Sequence, residues 1–160
     1  SCGKNKLTAL PANLPKKLRH LECTSNELTA LPENLPSGIR LLDCSYNQIA
    51  SLDNFFEESM KHLNCSHNQI HTLPDIEYGY LFEFDCSYNQ ISYLPETSTV
   101  NTIHLNAAGN QIRQPLDLEN SRICFLDLSD NPLEHPQTFP ENFIVEIAGR
   151  KGGERKEETD

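Results

Sequence analysis

The 160-residue sequence has no tryptophan and a single methionine, and no apolar run approaches the ~20 residues that a membrane-spanning helix needs. Basic residues are scarce. Thirteen Lys and Arg stand against 23 Asp and Glu, for a net charge of −10. That balance excludes the broad basic patch that supplies most of the affinity for nucleic acid or an anionic membrane. Six cysteines are present, but no C-x-x-C pair, which argues against a zinc site or a disulfide framework. There is no Gly-rich phosphate loop, no His-Glu-x-x-His and no G-x-S-x-G, so neither an enzyme nor a bound cofactor is expected. No signal-peptide pattern opens the chain, which starts inside a repeated unit.

What the chain has is a period. Asn5, Asn26, Asn47, Asn68, Asn89, Asn110 and Asn131 follow one another at intervals of 21 residues without a slip. Around each the spacing L-x-x-L-x-L-x-x-N-x-L recurs, for instance as Ile39, Leu42, Cys44, Asn47 and Ile49. A fixed short period predicts a leucine-rich repeat solenoid, with one short parallel β-strand per 21-residue turn on the concave face. Alternation such as Leu42-x-Cys44 points two side chains to one face of the strand, and only stacking of successive turns hides that face. Each Asn falls where the chain leaves the strand. Its amide offers two donors and an acceptor, which suits it to bond the backbone of its own and the adjacent turn.

Cys2, Cys23, Cys44, Cys65 and Cys86 share one repeat position with Ala107 and Leu128. A slot filled alike by Cys, Ala and Leu is an apolar packing position, so these are expected to be buried free thiols in a protein of a reducing compartment. Cys124 falls outside the column. The returns, Leu31-Pro32 to Leu35-Pro36, Leu73-Pro74 and Leu94-Pro95, carry prolines that exclude regular helix and predict extended, polyproline-like convex segments. A short helical turn is expected at 54–59. The predicted organisation is a repeat domain over 1–148 of about seven turns, with a C-terminal cap at 133–148, and a disordered charged tail over 149–160. The uncapped N-terminal end offers a surface for pairing with a second copy.

The Leu-Pro returns at 10–15 and 31–36 mark the short bacterial type of leucine-rich repeat, and from Cys2 to about Pro140 the chain resembles the repeats of YopM-like and IpaH-like effectors. That resemblance implies a protein-binding scaffold, secreted by a bacterium into the host cytoplasm, that holds a host protein. The alternative it implies is the substrate-recognition part of a larger effector ubiquitin ligase. The Glu154-Arg155-Lys156-Glu157-Glu158 tail is similar to the glutamate-rich C-terminal signals of type IV-secreted effectors. No catalytic residue carries over.

Strand residues that alternate with the core are expected to face out on the concave sheet. One column holds His20, Leu41, His62, Glu83, His104 and Phe125, and the next holds Glu22, Asp43, Asn64, Asp85, Asn106 and Asp127. A third, Thr24, Ser45, Ser66, Ser87, Ala108 and Ser129, is expected to face out as well. Tyr46, His67 and Tyr88 stand at the edge before the Asn. Carboxylates on four of the six middle-column positions have no evident folding role and suit a partner with a basic surface. Leu41, Phe125, Tyr46 and Tyr88 are candidate anchors, because large side chains dominate interface energetics. His62, Glu83 and His104 neighbour one another, but on an open surface without supporting groups they are not expected to hold a metal.

Overall fold

A computed structural model of the chain describes residues 1–52, 59–74, 81–95, 102–119 and 121–138. Six short strands follow in order: β1 (His20–Glu22), β2 (Leu41–Asp43), β3 (His62–Asn64), β4 (Leu81–Asp85), β5 (Thr102–Asn106) and β6 (Phe125–Asp127). They form one parallel sheet in sequence order, β1-β2-β3-β4-β5-β6. The register steps by one repeat throughout, so that His20 pairs with Leu41, Leu41 with His62, His62 with Glu83, Glu83 with His104 and His104 with Phe125. Columns in the sequence are therefore columns in space. The fold is the leucine-rich-repeat solenoid that the 21-residue period predicts.

The core lies behind the sheet. Leu42, Leu63, Phe84, Leu105 and Leu126 fill its central row, with Cys44, Cys65, Cys86 and Ala107 beside them, all buried. The returns are lined by Leu52, Leu73 and Leu94, also buried. Around their prolines the described residues contain neither helix nor strand. Residues 54–58 of the expected helical turn, 139–148 of the expected cap and the 149–160 tail lie outside the described residues.

The Asn ladder joins the turns. Asn47 Nδ2 donates to the carbonyls of Cys44 (2.9 Å) and Ser45 (3.1 Å) in its own turn and of Cys23 (3.1 Å) in the preceding one. Its Oδ1 accepts the N–H of Leu28 at 3.0 Å, again from the preceding turn. Asn26, Asn68, Asn89, Asn110 and Asn131 repeat this set. The predicted role of the Asn is thus found from Asn26 to Asn131, while the Asn5 side chain bonds, among the described residues, only the carbonyls of Cys2 and Gly3 in its own turn. The residue before each Asn takes a left-handed conformation: φ is 54° at Tyr46, 53° at His67 and 52° at Tyr88. For a residue with a Cβ that conformation costs roughly 1–2 kcal/mol, and the hydrogen bonds of the following Asn offset it. At Gly109 (φ 63°) the strain disappears, and a Cβ there would meet the Tyr88 ring at 2.6 Å.

One core position breaks the pattern. Thr102 occupies the slot filled elsewhere by Ile39, Met60, Leu81 and Ile123, is fully buried, and its hydroxyl has no hydrogen-bond partner among the described residues. An unpaired buried hydroxyl costs about 1–3 kcal/mol. Thr102→Val, which keeps the shape and removes the hydroxyl, is expected to raise unfolding stability by about 1 kcal/mol in denaturant titration.

Cys23, Cys44, Cys65 and Cys86 are buried free thiols, whereas Cys124 is exposed. Burial pushes the Cys23 thiol up to about 12, with Cys2 and Asp43 adding to the effect. Burial likewise pushes Cys44, Cys65 and Cys86 well above the usual thiol value. The folded state then keeps protons that the unfolded chain releases above about pH 9, so stability falls as pH rises. Each of the fully buried thiols Cys44, Cys65 and Cys86 is expected to withdraw about 1.4 kcal/mol per pH unit above that point. Melting temperatures measured from pH 8 to pH 11 test this: a flat profile contradicts it, and a Cys65→Ala variant should show a shallower fall than the parent chain.

Candidate functional site

At β2, β3 and β4 two successive N–H groups share one carbonyl of the preceding turn. The N–H groups of Arg40 and Leu41 both donate to Arg19 O (2.7 and 3.1 Å), those of Lys61 and His62 to Arg40 O (2.9 and 3.0 Å), and those of Phe82 and Glu83 to Lys61 O (2.7 and 3.1 Å). No residue is inserted, since the register runs on from Leu81 and Thr102 to Glu83 and His104, but an additional side chain turns away from the core at these positions. At β4 that side chain is Phe82, half exposed beside Glu83. Sequence reasoning missed Phe82 because strict alternation leaves no outward slot there. The signal was available in the column Arg19, Arg40, Lys61, Phe82, Ile103 and Cys124, which no core position claims.

Phe82 completes an aromatic ridge. Its ring centroid lies 6.0 Å from His62 and 5.7 Å from His104, and His104 lies 6.1 Å from Phe125. At the opposite end of the strands Tyr46, His67 and Tyr88 stack nearly parallel, with centroids 4.1 and 4.5 Å apart. Both faces of the His67 ring and one face of each Tyr ring are covered within the stack. Tyr46 and Tyr88 remain about half exposed.

The middle column has a role that the sequence reading denied it. Asp43 Oδ1 accepts the Ser45 N–H at 3.0 Å and the Ser45 hydroxyl at 2.6 Å. Asn64 serves Ser66 and Asp85 serves Ser87 in the same way, while Asn106 and Asp127 accept the N–H of Ala108 and Ser129. These are Asx-turns that bend the chain out of the strand. The expected outward third column is corrected by the same contacts: Ser45, Ser66, Ser87 and Ala108 are buried, turned in where the chain bends. Neutral Asn64 and Asn106 also stand between the carboxylates of Asp43, Asp85 and Asp127, and Asn106 Nδ2 donates to Asp85 Oδ2 at 3.3 Å. Glu22, too long for the turn, is exposed and has no such bond.

The first column splits along the sheet. His20 is exposed on β1 and Leu41 is half-buried on β2. His62 Nδ1 meets Glu83 Oε2 at 3.1 Å across the strands. His104 joins the rings of Phe82 and Phe125 instead of a third ligand position. Among the described residues no group of three or more His, Cys, Asp or Glu is placed to hold a metal ion. A shallow depression of about 300 Å³ opens on the face over β1 to β4, bordered by Glu22, Leu41, Asp43, His62, Glu83 and Asp85.

An open, parallel solenoid sheet with outward-facing rows of this kind defines a leucine-rich-repeat protein, the class in which stacked turns display a concave interaction surface. Among solved structures the chain is similar to YopM, a leucine-rich effector protein from Yersinia pestis, at 29% identity and a TM-score of 0.69, over 89% of this chain and 39% of that one. It shares its fold with a leucine-rich-repeat protein of Leptospira interrogans, at 23% identity and a TM-score of 0.55, over 81% of this chain and 48% of that one. The chain thus spans less than half the length of either. No family model and no curated protein matches it. Among the described residues no helix is long and apolar enough to cross a membrane.

The turn role of the middle column is checked by substitution. Asp43→Ala strips Ser45 of its acceptor and is expected to cost about 1–2 kcal/mol in denaturant unfolding. Asp43→Asn reproduces what Asn64 already does and should stay within about 0.5 kcal/mol of the parent.

Proposed function

We propose that the chain is the recognition surface of a bacterial effector and binds a host protein through its concave face. The observation that carries this reading is the row of large outward side chains on that face. Leu41, Phe82, His104 and Phe125 stand on the sheet, away from the core that the turns build behind it. Exposed aromatic rings in contiguous rows are the usual anchors of protein interfaces. The likeness to the Yersinia pestis effector supports the effector part of the reading. Free, buried thiols fit the reducing cytoplasm of a host cell.

A pull-down from host-cell lysate tests the proposal, comparing the parent chain with a Leu41→Glu, Phe82→Glu, Phe125→Glu variant. None of the three residues takes part in the Asn ladder or the Asx-turns, so the variant should keep the parent's circular dichroism spectrum. A host protein held by the parent and lost from the variant is the expected result. Equal capture by both moves recognition off the concave face.

A further inference from the structure

The two halves of the concave face differ in chemistry, and the difference restricts what can lie there. Over β1 to β4 the depression is bordered by the carboxylates of Glu22, Asp43, Glu83 and Asp85, with the Leu41 side chain between them and no Lys or Arg on its border. Glu22 has no partner among the described residues, Asp43 keeps Oδ2 after its turn bonds, and Glu83 is met by His62 alone. Carboxylates gathered in a concavity concentrate a negative potential. Over β4 to β6 the face is instead the ridge of Phe82, His104 and Phe125, with ring spacings of 5.7 and 6.1 Å. The first half suits a cation on a flexible apolar stem, and the second suits an aromatic or large aliphatic side chain.

The distance between them is set by the sheet. The depression centres between β2 and β3 and the ridge on β5, which is about 12 Å at ~4.8 Å per strand. An extended segment rises ~3.3 Å per residue, so about four residues span that distance. An even separation also places both side chains on the same side of the segment, toward the sheet.

We propose that the concave face takes one extended segment of a partner protein, laid across the strands. A Lys or Arg side chain sits in the depression at Leu41 and Glu83, and an aromatic or large aliphatic side chain four residues away sits on the Phe82–His104–Phe125 ridge. This inference rests on the concave face being the recognition surface, and it adds the chemistry and spacing of what is recognised. Glu22 and Glu83 supply charge without holding a turn, and Phe82 and Phe125 supply the ridge, so the two halves can be altered separately.

The test is a library of short random peptides displayed on phage and selected on the full chain. Enriched peptides are then measured by fluorescence anisotropy against a Glu22→Gln, Glu83→Gln variant and a Phe82→Ala, Phe125→Ala variant, both checked for the parent's circular dichroism spectrum. The expected result is enrichment of Lys or Arg four residues from Phe, Trp, Tyr or Leu. Each variant should weaken binding by about tenfold, and the effect of the Glu changes should shrink at high salt. Enriched peptides of another composition or spacing that still lose binding to the Phe82→Ala, Phe125→Ala variant overturn the two-anchor segment and leave the concave-face reading standing. Peptides bound equally by the parent and both variants, or no enrichment at all, count against both.

Discussion

The amide of one asparagine per turn is the constraint on which the rest of the structure depends. From Asn26 to Asn131 each binds three carbonyls and one N–H, divided between its own turn and the one before, and from Asn26 to Asn110 the site is buried. Losing one would leave several buried backbone groups unpaired at about 1–3 kcal/mol apiece. The spacing of the asparagines therefore cannot slip by a residue, and the 21-residue period is a consequence of hydrogen bonding as much as of the Leu rows. The left-handed residue before each Asn is held by the same bonds. Tyr46, His67 and Tyr88 sit there despite the strain on a residue with a Cβ, and their stacking on one another adds to what holds the bend.

Once the period is rigid, a substitution at any outward position moves along a column without disturbing the turn. That separates scaffold from surface. The Asp and Asn of the middle column belong mainly to the scaffold, since their Oδ1 atoms close the bend out of the strand. The side chains of two other columns do not close that bend, and there the chain varies most: His20, Leu41, His62, Glu83, His104 and Phe125 in one, and Arg19, Arg40, Lys61, Phe82, Ile103 and Cys124 in the other. Variation in these two columns gives the solenoid its aromatic ridge over β4 to β6, while the acidic border over β1 to β4 comes mainly from the middle column.

Most of the fold was legible in the sequence. Period, core rows, buried cysteines and the Asn role all follow from side-chain alternation and from the need to pair buried polar groups, which are local properties repeated seven times. The site was legible only in part. The columns were placed correctly as far as strict alternation holds, so His20, Leu41, His62, Glu83, His104 and Phe125 lie in one row as expected. Ser45, Ser66 and Ser87 were misplaced because alternation stops where the Asx-turn begins. A carboxylate with a folding role looks the same in sequence as one without.

By itself, the sequence determined the repeat, its length and which residues share a column, because stacking turns of a fixed 21-residue period buries their common apolar face. Only the tertiary structure decided which outward residues are at liberty. Two N–H groups sharing one carbonyl push Phe82 out of the sheet, and a turn claims Asp43 and Asp85. Neither event has a sequence signature within a single turn, since both depend on where the neighbouring turn places its backbone.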